Sequence, residues 1–197
     1  MTAAEKLKMS YPEYLAAEER SAEKHDFLDG EVFAMSGGTL RHSALASTCS
    51  GLLRAALARR GCIVFESNAR VRRVEGQFSC SPDVTVVCGP VRRAVDDEEA
   101  IANPTLIIEV LSASTEAYDR GEKARQYTRI GALQEFAFVS QTERRVEVFR
   151  RNASGRFELY DFSETAVEFA SVGATIDLAA LYADAEALDV TAPPPEE

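Results

Sequence analysis

Asp83 and Glu109 each stand where folding alone gives little reason for a carboxylate. Asp83 follows Pro82 and opens the apolar run Asp83-Val84-Thr85-Val86-Val87-Cys88. Glu109 interrupts Leu106-Ile107-Ile108-Glu109-Val110-Leu111, a run that reads as a buried strand. Side chains alternate along a strand, so Glu109 shares a face with Ile107 and Leu111. An unpaired buried charge costs several kcal/mol or more, so such a carboxylate needs a base, hydrogen-bond donors or a metal ion. Two acids on neighbouring strands can hold a divalent cation through hard oxygen ligands, and such a cation can activate water. Each acid also has a plain reading: a turn residue before a strand for Asp83, a structural salt bridge for Glu109.

The next element adds a base. Asp119, Lys123 and Tyr127 recur every fourth residue, on one stripe of a predicted helix. Asp119 and Lys123 fit a surface ion pair worth roughly 0.2–0.5 kcal/mol. They also fit an arrangement in which Lys123 faces the two carboxylates and orients a water or a phosphate oxygen. In the second case Lys123→Met depresses any cleavage rate by orders of magnitude with little change in melting temperature.

The elements that must position these residues are legible in outline. Ser10, with Glu13 three residues on and Pro12 between them, starts a helix reaching about Arg20. Asp29-Gly30 marks a hairpin between His25–Leu28 and Glu31–Met35, which Gly37-Gly38 ends. A long helix follows from about Leu40 to Arg60, with His42, Leu45 and Cys49 on one face; His42 reads better as a hydrogen-bonded core residue than as a ligand. Strands are expected near Cys62–Phe65 and Ala69–Val74, then at Asp83 and at Glu109, with Asp96-Asp97-Glu98-Glu99 as an acidic loop between the last two. Ser112–Thr115 cap a helix to about Arg129, and strands follow at Glu135–Ser140, Arg145–Arg150 and Phe157–Phe162. A strand and helix around Ala174–Tyr182 close the fold.

The chain's 197 residues suit one α/β domain, 10–186, with helices packed around a central mixed β-sheet. Residues 1–9 read as a flexible N-terminus and 187–197 as a disordered Pro-rich tail. No apolar run approaches the roughly 20 residues that span a bilayer. The first ten residues lack a signal-peptide core, so the expected location is cytoplasmic. Cys49, Cys62, Cys80 and Cys88 show no metal-ligand spacing and read as buried free thiols. The net charge is −10, yet between Arg41 and Arg93 nine arginines face only three acids, so a locally basic face could still meet phosphate.

In order along the chain stand Lys24–Val32, Met35 with Gly37-Gly38, Arg41-His42, Pro82-Asp83-Val84, Pro104–Ser112, Ser114-Thr115, Tyr118–Lys123 and Tyr127. Together, over about residues 10–182, they resemble the Uma-two family of restriction-endonuclease-like proteins within the PD-(D/E)XK nuclease superfamily. The resemblance implies a restriction-endonuclease-like central mixed sheet and a nuclease acting on nucleic acid, DNA first. It implies Asp83 and Glu109 as acids that, with the main-chain carbonyl of Val110, hold Mg²⁺, with Mn²⁺ a possible substitute. Leu111 occupies the place of the superfamily's motif Lys, which makes Lys123, on the following helix, the matching candidate for that catalytic lysine. Glu31 resembles an additional acid near the metal and equally fits an exposed residue past a turn. Tyr127 fits packing, substrate contact or both.

Phe136, Phe138, Phe149 and Phe157 near a sheet edge lead to the expectation of a homodimer, although they could also fill the monomer's core. The rival to a nuclease is a nuclease-like dimeric binding module that no longer cuts. A metal-dependent phosphatase is a third reading.

Overall fold

The computed structural model describes residues 8–35 and 38–190. Helix α1, Tyr11–Glu18, starts at the expected capping box: the Glu13 N–H donates to the Ser10 hydroxyl, and the Ser10 N–H donates to the Glu13 carboxylate at 2.8 Å. Tyr11 and Tyr14 pack on Phe27 of β1 (His25–Leu28). β1 and β2 (Glu31–Ala34) form the expected hairpin, with Asp29 and Gly30 at φ 49° and 88°. Two consecutive left-handed residues are what a tight hairpin with right-twisted strands demands. Helix α2, Leu40–Ala56, is capped by Thr39 and stops four residues short of Arg60.

One mixed six-stranded sheet carries the site. Its order is β12 (Phe157–Phe162), β11 (Val146–Arg151), β10 (Glu135–Val139), β9 (Leu106–Val110), β6 (Val84–Cys88) and β3 (Cys62–Glu66). Only β9 and β10 pair in parallel. The alternation along β9 sorts its residues between two cores. Leu106, Ile108 and Val110 join Leu45 and Leu53 of α2 and Leu181 of α5 (Leu178–Val190), beside the hairpin of β13 (Ala166–Phe169) and β14 (Ala174–Asp177). Ile107 and Leu111 face the other way, against a second sheet. That sheet runs β2, β1, β5 (Phe78–Cys80), β4 (Arg70–Arg73), β8 (Asp97–Ile101) and β7 (Arg93–Ala94). Glu109 therefore points into the space between the sheets.

The expected central mixed sheet is thus present, with a second sheet over one face and helices over the other. The acidic run is not a loop: Asp97–Ile101 is strand β8. Charge pairing explains it, since Arg70 bonds Asp97 at 2.9 and 3.0 Å, and Arg72 bonds Asp96 at 2.7 Å. The same pairs neutralise two of the nine arginines in the basic stretch expected to meet phosphate. Cys62 and Cys88 are not free thiols: they are directly opposite across β3 and β6, with Cα atoms 4.0 Å apart, and form a disulfide. Cys49 and Cys80 are free and buried, as expected.

The four phenylalanines belong to the monomer. Phe136 and Phe138 are buried, and Phe149 stacks on Phe136 at 4.6 Å with Phe157 against it at 5.3 Å. Helix α5 runs to Val190, past the expected domain end at 186, while residues 1–7, 36–37 and 191–197 lie outside the described residues. Among the described residues no helix is long and apolar enough to cross a membrane.

Candidate active site

The antiparallel register of β6 and β9 pairs Val84 with Ile108, so one further step sets Asp83 opposite Glu109. Asp83 is fastened at this spot: its Oδ2 accepts the Val110 N–H at 2.7 Å and lies 3.2 Å from His42 Nε2. The hydrogen bond to Asp83 raises the His42 pKa, against burial, which lowers it.

The segment after β9 delivers the base. Glu116–Tyr118 (α3) and Ala124–Tyr127 (α4) are joined by a π-helical turn, Asp119–Lys123, and the buried side of that turn carries both Asp119 and Lys123. Lys123 Nζ stands 3.0 Å from Glu109 Oε1, 3.4 Å from Asp26 Oδ2 and 3.4 Å from Asp119 Oδ1. Tyr127, fully buried one turn on, donates its hydroxyl to Glu109 Oε1.

Burial and charge pull against each other here. Burial pushes the Glu109 carboxyl up to about 8, against the pull of Lys123 and with the push of Asp83. Asp26 is raised for the same first reason, offset by Lys123 and by the Ser81 N–H that bonds it. Burial alone would lower Lys123, but Glu109 and Asp26 outweigh it and hold the ammonium charged well above its ordinary range. Lys123 is thus held charged between two acids whose protonated forms burial favours.

Asp26, Asp83, Glu109, Asp119, His42 and Lys123 all line one cavity of about 230 Å³. The three residues expected to act together, Asp83, Glu109 and Lys123, do meet, and Val110 lines the same space. Tyr127 holds Glu109 from behind. Glu31, half-buried on β2, is not among the lining residues; the acid that the hairpin contributes is Asp26. Asp119 is buried instead of forming a surface pair, and His42 faces the cavity instead of the core.

Mg²⁺ and Mn²⁺ prefer hard oxygen donors, and four carboxylates line the cavity that also holds Lys123 and His42. Among the described residues no group of three or more His, Cys, Asp or Glu side chains is arranged to hold a metal ion. Mg²⁺ is commonly held by one or two carboxylates, with waters and substrate phosphates completing its shell. Asp83 and Glu109 fit that smaller demand.

Comparison with known proteins agrees with this fold. A family model, Uma2, described as "Putative restriction endonuclease", matches residues 11–179. The Synechocystis protein slr1290, itself uncharacterised, is 35% identical over 176 residues, covering 89% of this chain and 92% of its own length. A second uncharacterised Synechocystis protein, sll1609, is 33% identical over 139 residues, 71% of this chain and 78% of its own. The crystal structure of a "putative nuclease belonging to DUF820" from Anabaena variabilis superposes with a TM-score of 0.73 at 19% identity, covering 88% of this chain and 97% of that one.

Proposed function

Because this chain belongs to the Uma2 family, we propose that its nuclease-like fold serves as a metal-dependent endonuclease hydrolysing phosphodiester bonds of nucleic acid, DNA first. The observation that carries the reading is Lys123, buried and charged, 3.0 Å from Glu109 in the cavity that Asp83 also lines. Asp83, Glu109 and the main-chain carbonyl of Val110 would hold Mg²⁺, or Mn²⁺ in its place, and the bound ion would lower the pKa of water and offset charge on the phosphate.

The chain's own groups do the rest. Lys123 would orient the attacking water or stabilise charge growing on the scissile phosphate by exchanging one of its three carboxylate partners for that oxygen. The Val110 N–H and His42 hold the Asp83 carboxylate in one orientation, and the Tyr127 hydroxyl does the same for Glu109. Leu111 is buried between the sheets. That position carries no base, and Lys123 reaches the site from the next helix.

The test is incubation of purified protein with labelled single- and double-stranded DNA and RNA, with Mg²⁺ or Mn²⁺ and with Asp83→Ala as control. Cleavage by the wild type alone supports the reading; no cleavage of any substrate ends it. The alternative, a binding module that does not cut, draws on the way Lys123 and Tyr127 already occupy Glu109. Calorimetry separates the two, since only the enzyme takes up Mn²⁺ in a manner that Asp83→Asn abolishes. Two copies paired across β12 are the assembly that goes with this reading.

A further inference from the structure

One wall of the catalytic cavity has no part in the proposed chemistry. Phe33 of β2 and Tyr118 of α3 stack with ring centroids 5.1 Å apart and 30° between planes, and both line the cavity beside Met35. This aromatic wall faces Asp83, Glu109 and Lys123 across a space of about 230 Å³. Below the roughly 300 Å³ at which pockets enclose drug-sized ligands, that space suits one base and the phosphate beside it.

Two further observations narrow what enters. Glu109 and Lys123 are almost wholly buried, so a phosphate reaches them only by entering the cavity, which a flexible single strand does more readily than a stiff double helix. Charge argues in the same direction. Affinity for duplex comes largely from cations that release phosphate counterions. This chain carries a net −10, and Arg54, Arg70 and Arg72 of its basic stretch are paired with Glu66, Asp97 and Asp96. Where cations are few, stacking adds affinity, and only an unpaired base offers its face to a ring.

A second cavity, of about 680 Å³, continues from the first, sharing His42 and Asp83 and adding Lys24, Ser43 and Ser47. Lys24 Nζ bonds neutral acceptors there, Ser67 O at 2.9 Å and Asn68 Oδ1 at 2.8 Å. A sugar-phosphate chain leaving the aromatic wall meets hydroxyls, this ammonium and the carboxylates of Glu23 and Glu66.

We propose that the stacked Phe33 and Tyr118 rings receive an unpaired nucleobase, which makes single-stranded nucleic acid the substrate class of this site. The proposal rests on the nuclease reading for its biological sense, but its binding step is testable without cleavage. A fluorescent oligonucleotide, alone or annealed to its complement, is titrated with wild type, Phe33→Leu and Phe33→Tyr in EDTA, followed by anisotropy. Cleavage of the same oligonucleotides is then measured with Mn²⁺.

The expected result is single-strand affinity at least tenfold above duplex affinity. Phe33→Leu should weaken it by about tenfold, and Phe33→Tyr, which keeps a stacking ring, should restore it. In cleavage, Phe33→Leu should raise KM for the single strand far more than it lowers kcat. Equal binding of duplex and single strand overturns the proposal. So does a Phe33→Leu protein that binds as wild type, or one whose loss is equal for both substrates and tracks a lowered melting temperature. Phe33-dependent single-strand binding without any cleavage would keep this proposal and remove the nuclease reading instead.

Discussion

Lys123 Nζ lies 3.0 Å from Glu109 Oε1, the two side chains being 3% and 4% exposed, and the ammonium also touches Asp26 and Asp119. One cation thus compensates three buried acids. This changes what removing it should do. Lys123→Met should abolish cleavage and also destabilise the protein by about 3–5 kcal/mol, because it strands carboxylates where water cannot reach them. Urea unfolding checks it, with Lys123→Met/Glu109→Gln expected to regain part of the loss. A single variant as stable as wild type would contradict this cost, and the expectation from sequence, that a Lys123 facing the carboxylates can be replaced with melting nearly unchanged, would stand.

The Glu109 carboxyl gives stability a direction with pH. Its ordinary pKa of 4.5 is raised to about 8 in the fold, first by burial. Below 4.5 it is protonated in both states. Between 4.5 and about 8 the folded protein keeps a proton that the unfolded chain has lost, so this group's contribution falls as pH rises and levels off above 8. The stability of Glu109→Gln relative to wild type should therefore climb from pH 5 to pH 8, by at most about 1.4 kcal/mol per unit. Denaturant titrations of both proteins at each pH measure the difference. A flat difference would mean that Lys123 keeps Glu109 ionised throughout.

The Cys62–Cys88 bridge ties the edge strand β3 to β6 across a sequence separation of 26 residues. A closure of that length contributes about 3 kcal/mol. Dithiothreitol should lower the unfolding midpoint of wild type but leave Cys62→Ser/Cys88→Ser unmoved, and thiol titration of unreduced, denatured wild type should find Cys49 and Cys80 alone. Four reactive thiols would return the pair to the reduced state expected of a cytoplasmic protein.

With the phenylalanines used internally, the pairing proposed for two chains is placed on β12. This outer strand exposes Leu159 at 53% and Tyr160 at 38%, and has no neighbour in its sheet beyond β11. Two-fold pairing along it would cover both. Light scattering at micromolar concentration should give twice the 21.5 kDa of one chain, and Leu159→Arg should halve it. A wild-type mass near 21.5 kDa rules the dimer out.

What could be read from sequence was what local physics dictates. The Ser10–Glu13 box, the Asp29-Gly30 turn and the strands at β6, β9, β10, β11 and β12 are signalled within a few residues. Asp83 and Glu109 were conspicuous because each is a charge out of pattern. Asp26 was not, because β1 is buried at three successive positions and shows no alternation to violate. Asp119 was visible as a partner for Lys123, but spacing on a helix does not say which face looks inward. The strand at Asp97 and the disulfide were hidden for another reason. Each depends on a partner that only the sheet register supplies: Arg70 across 27 residues, and Cys88 opposite Cys62.

The wide turn Asp119–Lys123 has a consequence for how such a site can change. A π turn amounts to one residue inserted into an α-helix, and Gly121 at its middle has open space around the place of a missing side chain. The insertion lets the segment before it, with Tyr118, and the turn's last residue Lys123 with the segment after it, which carries Tyr127, take angles that one regular helix could not give together. Deleting a single residue there would close the helix and turn its two halves by about 100° against each other. The aromatic wall and the lysine would part company, though every residue of both remained in the chain. The two functions of the helix are thus separable by length alone, a kind of variation that point substitution does not reach.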